Sequence, residues 1–423
     1  MIINEEGTYT LRYTATDDCG KTTTVDRELV VEDSSPRRTV LYTDGTFIIN
    51  EKQSDEAHNI ELHGAATNVY IPFDPNGATD VEKYIFAAPN DRPWQFQQAM
   101  SVKRVEIGSS IHPTSTAFWF FYMTTCESVD VSNLDTSNVT NMNSMFYGCQ
   151  ALASIDMTHF NTENVTNMNS MFTNCQALTS IDLSHFDTSN VTTMNSMFTN
   201  CRALTSINTT NLNTSNVTDM ESMFSGCQAL ASIDVTHFNT SKVASMKSMF
   251  TGCQALTTLN VTNFDTSNVT NMDSMFSNCR VLTSVDVTSF NTSNVTTMNS
   301  MFSNCQALAG INLTHFNTEK VTNMGSMFNS CRTLTSIDLS SFNTARVTDM
   351  SSMFNGCESL AVIYALTLFV VTQVTSSGNM FLSMSTNLVG GAGTVWSSSN
   401  PKDKTYARID GGTSNPGYFT AKS

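Results

Sequence analysis

Basic residues are the scarcest feature of this sequence. Lysine and arginine number 21 against 37 acids, a formal charge of 21 − 37 = −16. Residues 1 to 100 hold 17 acids and 8 bases, or −9 of that total, so the remaining 323 residues carry only −7. No basic stripe is present to displace counterions, which excludes nucleic acid as a partner. Long apolar runs are also missing. The stretches 366–371 and 118–123 fall far short of the ~20 residues needed to span a bilayer, so no transmembrane helix is expected. The first six residues have neither a basic n-region nor an apolar h-region, so no signal peptide is read there. No C-x-x-C pair occurs, which argues against a zinc or iron-sulfur centre.

What the chain does have is a repeat. Nine cysteines, Cys149, Cys175, Cys201, Cys227, Cys253, Cys279, Cys305, Cys331 and Cys357, follow one another at intervals of 26 residues. The unit reads CQALTSIDLSHFDTSNVTTMNSMFTN over 175–200. A period between 20 and 50 held this strictly means a stacked solenoid.

Within the unit the hydrophobic period changes. Leu178, Ile181, Leu183 and Phe186 follow L-x-x-I-x-L-x-x-F, with Ser180, Asp182 and Ser184 outward, the pattern of a short strand. Val191, Met194, Met197, Phe198 and Cys201 then fall three or four apart, which predicts one apolar stripe of a two- to three-turn helix. Thr188 and its equivalents from Thr136 to Thr344 are expected to cap that helix. Glycine, asparagine or serine before each cysteine is expected to accept a left-handed backbone and stop it.

L-x-x-I-x-L-x-x-F followed by N-T-S-N-V-T-x-M-x-S-M-F resembles the BspA-like class of leucine-rich repeat surface proteins. The stretch Asn387-Leu-Val-Gly-Gly-Ala-Gly, with Tyr406-Ala-Arg-Ile-Asp-Gly-Gly and Pro416-Gly-Tyr-Phe, is similar to that family's C-terminal cap. The resemblance runs from about Val40 to Phe419. It implies a bacterial surface or secreted protein, often an adhesin, with no catalytic or metal residues to carry over. The expected fold is therefore an α/β solenoid of leucine-rich repeat type, with parallel strands on the concave face, short helices on the convex face and a cap at each end.

Four segments follow in order. Residues 1–35 alternate as two strands around Asp17-Asp-Cys-Gly-Lys21 and resemble the last strands of a hyalin-repeat or bacterial Ig-like domain; such a sandwich needs about seven strands, so the chain is read as beginning inside a domain. Residues 36–104 are read as an N-terminal β cap, with Asp44-Gly45 a hairpin turn signal. The repeats occupy 105–383; in the first, Trp119 and Phe120 replace Met-Phe and Met123 stands in place of cysteine. Residues 384–423 form the C-terminal cap.

The candidate sites are rows rather than motifs. The repeat cysteines read as buried free thiols packing like small hydrophobes, with disulfides between adjacent coils as the alternative. Cys19 and Cys126 stand outside the row, and Cys19 is the plausibly reactive one. The His159, His185, His237 and His315 row reads as edge hydrogen-bonding, and the N-x-T sequons at Asn138, Asn164, Asn190, Asn216, Asn268 and Asn294 coincide with a position that the fold explains. The most informative outward row is Asp130, Asp156, Asp182, Asn208, Asp234, Asn260, Asp286, Asn312 and Asp338. Adjacent carboxylates ~4.8 Å apart would repel, and from Asp182 onward the row alternates Asp with Asn. It reads either as a structural amide–carboxylate ladder or as a polar groove for a protein or glycan, with bound calcium a weak further option and no other cofactor expected.

Two functions remain open, neither enzymatic. One is a cell-surface or secreted adhesin that binds an extracellular protein or glycan in a distributed way. The other is a structural display or spacer element, such as a phage virion appendage.

Overall fold

The computed structural model describes the backbone of residues 7–16, 22–31, 37–42, 46–52 and 66–73, and residues 102–108 and 111–422 in full. The repeats wind into a parallel β-solenoid of about ten stacked coils. Its continuous seam is a chain of parallel bridges, Ser115↔Asn141, Asn141↔Asn167 and onward to Asn323↔Asp349, ending at Asp349↔Ser376 where one inserted residue is absorbed. At this seam each exposed threonine amide donates to the carbonyl 26 residues back, as Thr192 does to Thr166 at 2.9 Å.

A second seam is less regular. Parallel pairs form between β8 (Ser180–Asp182) and β9 (Ser206–Asn208), between β10 (Thr258–Leu259) and β11 (Ser284–Val285), and between β12 (Ser336–Asp338) and β13 (Val362–Ala365). The coils beginning Ala153-Ser-Ile, Ala231-Ser-Ile and Ala309-Gly-Ile form no strand here. Coils that do pair before β13 carry Thr179, Thr205, Thr257, Thr283 or Thr335 at that position. The hydroxyls of Thr179, Thr205 and Thr283 donate to the carbonyl one coil back at 3.0–3.4 Å. Alanine has no hydroxyl and a weaker preference for extended backbone. The alanines recur at 231 − 153 = 309 − 231 = 78 residues, so a three-coil superperiod overlies the 26-residue one.

The expected convex helices are absent from these coils, which is the main correction to the sequence reading. In an α-helix each amide donates to the carbonyl four residues back. Here the amides of Met194, Ser196, Phe198 and Asn200 donate instead to Asp219, Glu221, Met223 and Ser225 of the next coil, at 2.6–3.2 Å. The alternate amides of Met197, Thr199 and Cys201 close three-residue turns at 3.0–3.2 Å. Ser196 (φ 57°) and Asn200 (φ 59°) are left-handed, as are their equivalents in the other coils. A succession of tight turns places Met194, Met197 and Phe198 inward at the same three- and four-residue intervals as a helix would. Periodicity alone could not separate them.

The threonine row is corrected with the helix. Thr136 to Thr344 are buried, and each hydroxyl donates to a main-chain carbonyl of the next coil at 2.6–3.0 Å. They tie coils together rather than cap helices. Between the seams runs the core. Eleven rings, from Phe120 through Phe146 to Phe354 and Phe381, stack with centroids 5.1–6.0 Å apart. Trp119 and Phe120 do replace Met-Phe in the first coil, and both are buried.

At the N-terminal side, β4 (Thr46–Lys52) pairs in parallel with β6 (Arg104–Ile107), which pairs in parallel with β7 (Ser128–Asp130). Strands β3 (Arg37–Tyr42) and β5 (Ala66–Phe73) extend that sheet in antiparallel fashion. Residues 43–45, with the Asp44-Gly45 signal, lie outside the described residues. Strands β1 (Gly7–Thr16) and β2 (Thr22–Val31) form an antiparallel pair. At the other end β14 (Phe419–Ala421) pairs in parallel with β13. Tyr418 and Phe419 meet the last ring, Phe381, edge-on and so terminate the stack.

Candidate binding surface

All nine ladder positions are on the strand seam; Asp130 to Asn312 are exposed and Asp338 is half-buried. Each side-chain oxygen accepts the amide two residues on, for example Ser184 to Asp182 at 2.9 Å and Thr262 to Asn260 at 3.1 Å. The row is thus a column of Asx turns, in which a short side chain replaces a backbone acceptor and bends the chain out of the strand. One amide–carboxylate rung is made, Asn208 Nδ2 to Asp182 Oδ1 at 3.1 Å. Lys422 pairs with Asp338 at 3.0 Å and lies over the Tyr364 ring.

These turns set the charge of the row. The amide and hydroxyl of the residue two positions on hold the Asp156, Asp182, Asp234 and Asp286 carboxyls below their ordinary range. At Asp338 burial acts upward, and the Ser340 and Lys422 donors outweigh it. The row therefore stays anionic into mildly acidic solution.

The remaining candidates serve the fold. His159 Nε2 lies 2.6 Å from the Val131 carbonyl and His237 Nε2 2.6 Å from that of Thr209, each joining one coil to the one before. The sequon amides of Asn164, Asn190, Asn216, Asn268 and Asn294 donate to a carbonyl of the preceding coil at 2.7–2.9 Å. The nine repeat thiols are free and buried, and each donates to a phenylalanine carbonyl of the previous coil at 3.0–3.2 Å. Cys126 is corrected: it is buried as fully as the row, with Sγ 3.2 Å from the Ser128 carbonyl. Cys19 lies outside the described residues. Among the described residues, no group of three or more His, Cys, Asp or Glu could hold a metal ion, and no helix is long and apolar enough to cross a membrane.

Sequence reasoning missed two features. Asp135, Asp187, Asp265 and their asparagine equivalents form a second column of Asx turns, as in Ser189 to Asp187 at 2.9 Å. The D/N-T-[SE] recurrence was the signal. Asp410 is the hub of the C-terminal cap. It accepts from the Ala392, Thr394 and Gly412 amides, each at 2.9 Å, and from the Thr394 hydroxyl at 2.7 Å.

Coils of constant length, self-complementary side-chain columns and a polar outward row define a solenoid repeat protein. Residues 114–232, 203–309 and 282–389 each match the family model described as "Mycoplasma protein of unknown function, DUF285". Together they span 389 − 114 + 1 = 276 of the 423 residues, and the chain belongs to that family. No curated protein matches the chain.

Proposed function

We propose that this chain is a non-catalytic binding scaffold of the BspA-like leucine-rich repeat kind, exposed at a cell surface or secreted, that recognises an extracellular protein or glycan through its Asp/Asn row. The observation that carries this reading is the exposure of Asp130, Asp156, Asp182, Asp234 and Asp286 in stacked coils, each with one oxygen committed to its own turn and the carboxylate still facing solvent. Every rung presents nearly the same chemistry, so affinity comes from several rungs engaging one extended ligand. A cationic ligand or bridging calcium fits the charge, and binding should weaken with salt. On this reading β1 and β2 are the end of an Ig-like domain.

The test converts the six aspartates of the row, including Asp338, to asparagine. Asparagine keeps the acceptor of each turn and removes the charge. Adhesion to matrix proteins, mucin and a glycan panel should fall at least about tenfold while the melting temperature holds. Equal binding by variant and parent, or no binding by the parent, discards the groove. A display spacer is then the better reading. It is favoured by the extent to which outward Thr, Asn and His side chains are committed to the neighbouring coil.

A further inference from the structure

The bridge seam offers a face that the reading above does not use. Along it runs a column of exposed residues from Thr140 to Thr375, one per coil, with Ala244 the single position lacking a hydroxyl. Each of the nine hydroxyls donates to the carbonyl one coil back at 3.1–3.4 Å. Their rotamers are therefore fixed before any partner arrives, and docking would lose little side-chain entropy. The neighbouring column of asparagines is tied down in the same way. A rigid surface with a repeat of ~4.8 Å is matched over ten coils only by a surface of the same period. A second copy of this chain has that period.

Charge selects the arrangement. Number the coils one to ten from Thr140 to Thr375. The bases on or beside this face are Lys242 in coil five, Lys320 in coil eight and Arg346 in coil nine, all exposed. Parallel face-to-face docking sets each coil on its own equivalent, so every base meets itself. An antiparallel two-fold, with its axis in the face and across the solenoid, sets coil k on coil 11 − k and each column on itself. Lys242 then meets coil six, which carries Asp265; Lys320 meets coil three, with Asp187; Arg346 meets coil two, with Glu163. All three acids are exposed on the same face. We infer that this chain forms an antiparallel, isologous homodimer through the threonine face, with these three acid–base pairs each made twice by the symmetry.

The size is adequate. Ten coils at ~4.8 Å give ~48 Å of length, and four residues of width at ~3.3 Å give ~13 Å. That is roughly 600 Å² per copy, or about 1,200 Å² in total, the low end of specific interfaces. The aspartate row lies on the other seam and stays accessible in such a dimer.

Sedimentation velocity of the full chain from about 1 to 200 μM tests this. The parent should move from monomer to dimer across that range, and more readily at low salt. Thr192→Lys with Thr296→Lys places like charges in the centre of the face without touching the core. It should raise the dissociation constant at least tenfold at an unchanged melting temperature. Arg346→Glu should weaken the dimer about fivefold, and adding Glu163→Arg should restore it. A parent that is monomeric throughout, a dimer indifferent to the lysines, or a charge swap that fails to restore association would each overturn the assignment.

Discussion

At the scale of single residues, the polar and sulfur side chains are placed by what the neighbouring coil offers them. The repeat thiols show this. Burial pushes the Cys201, Cys279 and Cys357 thiols up to about 12, and that of Cys126 likewise, so the nucleophilic thiolate is suppressed at all four. Thiol titration of native protein should therefore find no more than Cys19 reactive, with the other ten appearing after denaturation without reductant. A shortfall after denaturation would show disulfides between coils. Asp410 makes the opposite case. Its burial would raise the carboxyl, but the Thr394 hydroxyl and the Thr394, Gly412 and Ala392 amides outweigh this and hold it at about 2 against an ordinary 3.8. A depressed folded-state value adds stability that is complete above the unfolded value and is lost as pH falls from 3.8 toward 2. Asp410→Asn should cost about 2 kcal/mol at neutral pH and flatten the acid limb of the stability curve. Equal acid sensitivity in parent and variant would assign that limb to other carboxylates.

At the scale of the element, the strand seam was legible and the turn seam was not. Alternation around Ile181 identified inward and outward sides correctly, because a period of two belongs to extended backbone alone. The Met194, Met197, Phe198 and Cys201 spacing had two physical solutions, and coil stacking selected the one that sends alternate amides to the next coil. The discriminating clue was polar: serine four residues before the Gly, Asn or Ser that precedes each cysteine, both left-handed. Ser222, at φ 57°, separates the two solutions experimentally. In a helix Ala is better than Gly by about 1 kcal/mol, whereas in a left-handed turn the order reverses. Ser222→Gly should therefore melt above Ser222→Ala, and far-ultraviolet circular dichroism should show little helix in the parent. The reverse order would restore the helix.

For the whole molecule, the strict 26-residue cysteine interval implied stacking before any element was assigned, because in-register columns require every coil to have the same length. The ends were less legible. Asp410 and the edge-on Tyr418 and Phe419 close the last coil through contacts that occur once and so leave no period to read. The candidate row was legible as outward and acidic, but not as a column of turns, since an Asx turn depends on the backbone two residues on. Equal coil length also predicts how the molecule responds to losing a piece. Removing 201–226 joins Asn200 to Cys227, which keeps every column in register: ring on ring, threonine hydroxyl on carbonyl, thiol on phenylalanine carbonyl. Stability in such an array is close to a sum of coil and nearest-neighbour contributions. The shortened chain should fold and melt within a few degrees of the parent. Removing 201–225 takes away one residue fewer and leaves Gly226 as an insertion between Asn200 and Cys227, at a turn where both residues are left-handed. That offset displaces the cysteine, its carbonyl partner and the stacked rings in one step. The second deletion should melt far lower or fail to fold. Similar melting of the two would mean that the columns are not what holds the coils together.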